Sequence, residues 1–320
     1  MAEFGSARAA PGEIDTGILT AGETRDGSGF GLPVAVVNGA EEGETLYVQA
    51  GSDGDELNGV GVVREVTRRL DADELTGQIL VVGVLNYHGF QMAEHKNPVD
   101  STKLNRAFPG DADGSSSERL ANLVYENGAE RADLGLDLHQ GSTSRMIDEV
   151  RVRCGRGHRL HDECLELART FGTEYVLDKK GPKGQLARAA PEDGVPLVDP
   201  ELGGAVGWDR GSVETGVRGV FNVLKGYGFL EGEPTTPDEQ LRAKEFEVFH
   251  ADSGGLVERH ADLYDEVGKG DALFEVTDVF GETKETVDSS VNGVVWRTRR
   301  LPMVATGEYV MSVATGLERF

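Results

Sequence analysis

Cysteines and long apolar segments are scarce in this sequence. The 320 residues contain only two cysteines, Cys154 and Cys164, which excludes a disulfide framework and favours a reducing compartment. No apolar stretch is long enough to span a bilayer, and the N-terminal residues lack the apolar segment of a signal peptide. These absences predict a soluble, cytoplasmic protein that does not bind membranes.

Basic residues are also far fewer than acidic ones. The chain has 56 acidic and 32 basic residues, so its formal net charge is −24 at pH 7, and only nine of the basic residues are lysine. Such a charge opposes binding to nucleic acids and to anionic membrane surfaces. Because the acidic residues are spread over the whole length, they indicate a strongly solvated surface, as expected in a halophilic cytoplasmic protein.

The segment from Gly51 to Gly59 is the first candidate site. It lies between the predicted strand Thr45–Gln49 and a predicted amphipathic helix at 58–70, and it carries Asp53 and Glu56. Carboxylates at a strand end and in the first turn of a helix can point into one crevice beyond the carboxyl edge of a sheet. This is the geometry of metal ligands. The alternative is a turn with a helix N-cap, in which the helix dipole favours the glutamate.

Polar residues follow the ends of other predicted strands. His139 comes after an alternating apolar segment, and Glu201 comes after a short apolar segment and before two glycines. In the loop at 104–110, Asn105 and Arg106 place an amide beside a guanidinium group. Such a pair suits an anionic or carbonyl-bearing ligand.

Four segments make the sequence recognisable: AGSDGDELNG, PVDSTKLNRAFPG, DLHQG and PELGG, in this order. They resemble the motifs of the succinylglutamate desuccinylase/aspartoacylase family of zinc hydrolases, and the resemblance extends from about Leu32 to the C-terminus. It implies an α/β fold with a mixed, largely parallel sheet covered by helices, as in carboxypeptidases. It also implies a C-terminal all-β barrel-sandwich domain.

The resemblance implies a metal site with one Zn²⁺ per chain. Glu56 and His139 fall on two of the family's ligands, and Asp53 stands where the family has its first histidine. Three protein ligands leave one coordination position open for water or substrate. Because a second carboxylate makes the ligand set richer in oxygen, Mn²⁺ or Co²⁺ is expected to bind as well.

The resemblance also assigns roles to residues beyond the metal. Glu201 falls on the general base, which deprotonates the attacking water and protonates the leaving amine. Asn105 and Arg106 fall on the substrate-binding pair, and Arg106 is expected to polarise the scissile carbonyl or hold a carboxylate. His95 stands where the family often has an arginine, so we expect a substrate contact with weaker selection for a carboxylate. Arg145 is a further candidate for binding a substrate carboxylate.

The composition changes near residue 238. The segment EGEPTTPDEQ at 231–240 reads as a linker, and short β-like runs with glycine-rich turns follow it. We therefore predict a metal-dependent hydrolase domain at 1–238 and a small β-barrel domain at 239–320. The hairpin RRLPMVATGEY contains no lysine and cannot be a lysine-tethered carrier. A lid, a support or an assembly element is expected instead, and the sequence is compatible with a homo-oligomer.

The predicted function is zinc-dependent hydrolysis of the amide bond of a small N-acyl amino acid or a related molecule. One alternative is a non-catalytic metal- or ligand-binding protein with the same fold, indicated by the departures at Asp53 and His95. Another is a carboxypeptidase that acts on peptides. The spacing of Cys154, His158, His161 and Cys164 would also suit a second zinc site. The last three residues fit the start of a helix as well, and we favour the helix.

Overall fold

The computed structural model describes residues 1–204 and 207–319. The strands within them are β1 (Ala2–Phe4), β2 (Ala7–Ala9), β3 (Glu13–Glu23), β4 (Gly29–Asn38), β5 (Glu41–Ala50), β6 (Thr76–Val82), β7 (Leu134–Gly141), β8 (Ser144–Met146), β9 (Glu149–Val152), β10 (Tyr175–Asp178), β11 (Leu197–Gly204), β12 (Leu241–Ala243), β13 (Glu245–His250), β14 (Gly255–Arg259), β15 (Glu266–Val267), β16 (Ala272–Thr277), β17 (Thr283–Asp288), β18 (Gly293–Arg299), β19 (Met303–Val304), β20 (Tyr309–Thr315) and β21 (Glu318–Arg319). The helices are α1 (Asn58–Arg69), α2 (Tyr87–Met92), α3 (Ser116–Asn127), α4 (His161–Phe171), α5 (Leu186–Ala189) and α6 (Arg210–Gly226).

A mixed sheet forms the centre of the molecule. In the described residues it has ten strands in the order β21-β12-β10-β9-β11-β7-β5-β6-β4-β3. The neighbours β6–β5, β5–β7, β7–β11, β9–β10 and β10–β12 are parallel. The pairs β3–β4, β4–β6, β9–β11 and β12–β21 are antiparallel. This is the mixed, largely parallel sheet that the sequence predicts.

One face of the sheet packs against α1, α4 and α6. Val62 and Val66, one turn apart on α1, are buried in this layer. Leu134, Leu136 and Leu138 of β7 belong to the same apolar core. Because successive side chains of a strand point to opposite faces, the residues between these leucines face the other side of the sheet.

The other face is covered by α3 and by the hairpin of β1 and β2. Leu120 and Val124 of α3 are buried in a second apolar core with Tyr47 of β5. The helix begins with a capping box, in which the Ser115 hydroxyl accepts from the Glu118 backbone and the Glu118 carboxylate accepts from the Ser115 backbone. The polar side chains of the candidate site lie on this side of the sheet.

The C-terminal region is all β, as predicted, but its strands pair with those of the first region. Two antiparallel sheets, β13-β20-β18-β15 and β17-β16-β14-β19, make up most of it. However, β8 pairs with β18, and β12 and β21 extend the edge of the large sheet. The boundary at residue 238 stays a prediction, because strands from both sides of it share sheets.

Candidate metal centre and active site

The segment from Gly51 to Gly59, called the acidic segment below, turns away from β5 before α1 starts. Gly51 has a φ of +66°, which favours glycine, and α1 begins only at Asn58. The N-cap residue Leu57 makes no side-chain capping bond, and the first turn of α1 holds no acidic residue. Asp53 and Glu56 are buried, at 1% and 4% exposure. Neither carboxylate caps α1, so the helix-cap alternative is wrong.

His139 meets these two carboxylates at the end of β7. Its Nδ1 lies 2.9 Å from Glu56 Oε2 and 3.7 Å from Asp53 Oδ2. On the other side of the ring, Nε2 lies 3.0 Å from Asp137 Oδ2. One donor atom from each of Asp53, Glu56 and His139 lies within 4.8 Å of the others. The structure thus brings together the three residues that were predicted as metal ligands.

The chemistry of these groups fits a divalent cation. Neither carboxylate oxygen of Asp53 accepts a hydrogen bond from a described residue, although both are buried, and the only described ammonium beside them is that of Lys103, 3.1 Å from Oδ2. A buried carboxylate without hydrogen bonds is costly unless a cation balances it. Two carboxylates and an imidazole are ligands that Zn²⁺ accepts, and Asp137 gives His139 the carboxylate partner typical of a metal-bound imidazole.

Burial and charge shift the proton affinities in this cluster. Burial, and then the charge of Asp53, raise the pKa of Glu56 to about 7. Burial lowers the pKa of His139, but the carboxylates of Asp137 and Asp199 outweigh it and hold the pKa well above its ordinary value. The cluster therefore binds protons readily, and a metal ion has to displace them.

His95 lies beside the same carboxylates. Its Nδ1 is 3.0 Å from Asp55 Oδ1, and its Nε2 is 3.7 Å from Asp53 Oδ1. The ammonium of Lys103 lies 2.9 Å from Nε2 and 3.1 Å from Asp53 Oδ2. Burial lowers the pKa of His95, but the hydrogen bond to Asp55 and the charge of Asp53 give a net upward shift.

A stripe of polar side chains, most of them buried, crosses the face of the sheet on which His139 lies. Glu201 of β11 is the register partner of His139, and Asp199 pairs with Arg151 of the antiparallel β9. Since paired residues lie side by side and alternate residues share a face, the stripe continues across four strands. Its buried members are Gln49, Asp137, His139, Asp199, Glu201, Glu149 and Arg153, and Arg151 is half-buried.

The predicted base, Glu201, is held by an arginine. Arg151 donates a hydrogen bond to Glu201 Oε1 and lies 2.7 Å from a carboxylate oxygen of Glu149. Burial raises the pKa of Glu201, but Arg151 and then His139 outweigh it, and the net shift is downward. Glu201 is therefore ionised at neutral pH and able to accept a proton.

The three remaining predicted residues differ in their surroundings. The Asn105 side chain is buried, with its amide nitrogen 3.0 Å from His139 Nε2. The Arg106 side chain is exposed, and its guanidinium donates to the backbone carbonyl of Asn105. Arg145 lies on β8, and its guanidinium contacts both carboxylate oxygens of Asp262 at 3.0 Å. The structure thus places Asn105 in the cluster and gives the Arg145 charge a partner in the C-terminal region.

Sequence reasoning missed Lys103 and the polar residues of β9. A signal for β9 was present, because the segment EVRVR alternates charged residues with valine, as expected of a strand with one polar face. Lys103 had no comparable signal. Its role depends on contacts with Asp53 and His95, which lie apart from it in the sequence.

Two other sequence predictions concern a second zinc site and membrane-spanning segments. His161 is the first residue of α4, its Nε2 lies 3.0 Å from Asp178 Oδ1, and Cys164 is buried in the same helix. Within residues 1–204 and 207–319, the groups with metal-site geometry do not include these side chains. None of the helices there is long and apolar enough to cross a membrane.

The model of the succinylglutamate desuccinylase/aspartoacylase catalytic domain matches residues 42–227, which contain the whole cluster. The chain belongs to this family. It is 29% identical over 317 residues to the N-alpha-acetyl-L-2,4-diaminobutyric acid deacetylase of Halomonas elongata, covering 95% of this chain and 89% of the relative. Membership confirms the predicted class, a hydrolase that removes acyl groups from amides.

Solved structures of similar proteins have the same fold as this chain. A succinylglutamate desuccinylase from a Silicibacter strain has a TM-score of 0.86 at 25% identity, covering 98% of this chain and all of the other. The product-bound ectoine utilization protein EutE (DoeB) from Ruegeria pomeroyi has a TM-score of 0.85 at 25% identity, with 94% of each chain covered. The likeness includes the C-terminal β region and confirms the predicted fold class.

Proposed function

We propose that this family member is a zinc-dependent deacylase that cleaves the amide bond of a small N-acyl amino acid. The observation that carries the proposal is the cluster of Asp53, Glu56 and His139, in which the buried carboxylate of Asp53 accepts no hydrogen bond from the described residues. These three side chains would hold the ion. When bound, zinc supplies a Lewis acid that polarises the amide carbonyl and lowers the pKa of a water molecule.

The side chains around the cluster carry the proton transfers. Glu201 takes a proton from the attacking water as the oxygen bonds to the amide carbon, and it gives this proton to the nitrogen as the C–N bond breaks. The products are a carboxylic acid and an amine, which at neutral pH become a carboxylate and an ammonium ion. Arg151 holds the Glu201 carboxylate in place and keeps it ionised before the reaction. Arg106, which is exposed, is available to bind a substrate carboxylate.

Two observations favour a small, uncharged acyl group. An imidazole at position 95 cannot offer the bidentate fork with which an arginine binds a carboxylate. In addition, the relative from Halomonas elongata bears the name of an enzyme that removes an acetyl group from a diamino acid. We therefore propose N-acetylated amino acids as the substrate class, with N-α-acetyl-2,4-diaminobutyrate as the first candidate.

Amine release by the zinc-loaded protein tests this proposal. The substrates to compare are N-α-acetyl-2,4-diaminobutyrate, N-acetylaspartate, N-succinylglutamate and a short unblocked peptide. We expect kcat/KM for the first to exceed the others by about tenfold or more. Faster cleavage of the peptide would favour the carboxypeptidase alternative, and a lack of hydrolysis of all four would contradict the proposed activity.

Substitution of the base tests the proposed mechanism. Glu201→Gln keeps the shape of the side chain but removes its basic oxygen, so we expect kcat to fall by roughly 10²- to 10⁴-fold while zinc content stays unchanged. Glu130→Gln, at an exposed glutamate, is the matched control. If Glu201→Gln kept near-normal kcat, the base would be another residue.

Lys103 favours a second candidate function, in which the protein binds a ligand without catalysis. Its ammonium lies 3.1 Å from Asp53 Oδ2, so an internal cation can balance this carboxylate without a metal ion. Zinc content after dialysis against a zinc-buffered solution separates the two functions. One zinc per chain supports the deacylase, and a chain that stays free of metal supports the non-catalytic alternative.

A further inference from the structure

Two acceptor atoms converge on the ammonium of Lys103. Asp53 Oδ2 lies 3.1 Å from Nζ, and His95 Nε2 lies 2.9 Å from it. The Asp53 carboxylate is buried, its charge is paired with the Lys103 ammonium, and it belongs to the cluster with Glu56 and His139. A cation at this position therefore touches both the carboxylate of Asp53 and the imidazole of His95.

The hydrogen bonds fix the tautomer of His95 in this arrangement. An ammonium group has only donors, so Nε2 must accept from Lys103 and carries no proton. The proton is then on Nδ1, which donates to Asp55 Oδ1 at 3.0 Å. Neutral imidazole with a free lone pair is the form that binds metal ions.

His95 and His139 share the same pattern. Each has one nitrogen 3.0 Å from a carboxylate, that of Asp55 for His95 and that of Asp137 for His139. The same nitrogen of His95 also lies 3.8 Å from Glu56 Oε1, and Asp55, Glu56 and His95 form a second group with metal-site geometry. Each has its other nitrogen directed toward Asp53 or Glu56. A carboxylate that holds the N–H of an imidazole is the usual outer partner of a metal-bound histidine.

We propose that His95 is a further metal ligand, which binds the ion of the Asp53, Glu56 and His139 site through Nε2, and that Lys103 competes with this ion for Asp53 and His95. Because zinc can expand to five ligands, a position for water stays open beside four protein ligands. The inference rests on the proposed metal-dependent function. It replaces the substrate-binding role expected for His95. The Lys103 side chain is 30% exposed and flexible, so its ammonium can move aside when a divalent ion binds.

X-ray absorption of the zinc-loaded protein counts the imidazole ligands directly. We expect two in the wild type, one in His95→Ala and two in the control His88→Ala, whose ring packs against Phe30 and Tyr87 instead. A single imidazole in the wild type would overturn the inference and leave the metal-dependent function intact. A wild type that binds no zinc would overturn both. The wild-type spectrum decides the point even if a variant fails to fold.

Zinc affinity provides the second readout, measured by competition with a chelator. Loss of an outer partner typically weakens metal binding by roughly 10- to 100-fold, so we expect a loss of this size for Asp55→Asn and a larger one for His95→Ala. Lys103→Met removes the competing charge and should lower the zinc Kd. An unchanged Kd in His95→Ala, with only KM raised, would mean that His95 contacts the substrate and not the metal.

Discussion

At the scale of single residues, the contact between Arg151 and Glu201 controls the protonation of the proposed base. Arg151 is the largest of the charges that lower the Glu201 pKa against the effect of burial. Its removal by Arg151→Met should raise that pKa, so that a higher pH is needed to ionise the base. We therefore expect the acidic limb of the kcat/KM profile to move to higher pH.

The pH dependence of kcat/KM for Arg151→Met, compared with that for Arg64→Met, checks this prediction. Arg64 is an exposed arginine on α1, and its replacement should leave the limb in place. An acidic limb at the same pH in Arg151→Met and in the wild type would show that another group titrates in this range.

The site residues also differ in how far the sequence could predict them. Asp53 and Glu56 follow the end of β5, and His139 lies in the last half of the parallel strand β7. Parallel strands bring such positions together, so the meeting of the three residues was predictable. Arg145 was close in sequence to His139 but lies on β8, which pairs with β18 of the distant C-terminal region. Lys103 carried no local signal, since its contacts arise only from the folded loop.

At the scale of elements, a close contact between the acidic segment and α2 positions Asp53 and Asp55. Gly54 separates the two acids, and a Cβ placed on it would lie 2.2 Å from the backbone carbon of Gly89 and 2.4 Å from the backbone nitrogen of Phe90. Neither backbone atom can yield without moving α2 or the acidic segment. Glycine is required here for space, since α2 and the segment touch through their backbones.

Gly54→Ala should therefore weaken zinc binding and lower the free energy of unfolding by about 1–3 kcal/mol, as overpacking usually does. Gly157→Ala is the control, because a Cβ on Gly157 has no neighbour within 4 Å. Urea unfolding and zinc titration measure the two effects. Equal stability and zinc affinity in Gly54→Ala and the wild type would contradict the packing argument.

The strands differ in how well the sequence predicts them. The leucines of β7 alternate along a strand that passes through the core, so this element and the polar residues between the leucines followed from periodicity. The pairing of β8 with β18 could not be predicted, since β8 has three residues and its partner lies about 150 positions away. Pairing over such a separation depends on the whole fold rather than on local pattern.

At the scale of the whole molecule, Trp296 links the C-terminal sheets to the site. Its indole N–H donates to Glu149 Oε2 at 2.7 Å, and Glu149 in turn contacts Arg151, which holds the proposed base. Both Trp296 and Glu149 are buried. The C-terminal region thus contributes to the charge network beneath the active site.

Trp296→Phe keeps most of the aromatic packing but leaves Glu149 Oε2 without this donor. We expect the free energy of unfolding to fall by about 1–3 kcal/mol. Trp208→Phe is the control, since Trp208 is half exposed. Urea unfolding of both variants measures the difference, and a loss below about 0.5 kcal/mol in Trp296→Phe would mean that water replaces the indole donor at little cost.

The net charge of −24 should make stability depend on salt. Repulsion between surface carboxylates destabilises the folded state and is screened as the Debye length falls from about 10 Å at 0.1 M to about 3 Å at 1 M salt. We expect Tm to rise over this range of NaCl, and by more than in sucrose of equal osmolality, which stabilises without screening. Equal shifts in both solutes would argue against charge repulsion.

The pairing of β21 with β12 also bears on how the chain folds during synthesis. The last two described residues form a strand at the edge of the sheet whose other strands include β3, from the start of the chain. Glu318 and Arg319 are synthesised after the other strands of this sheet, whereas N-terminal regions generally fold first during synthesis. The catalytic sheet can therefore begin to form on the ribosome, but its β12 edge gains β21 only after the C-terminal β region has been made.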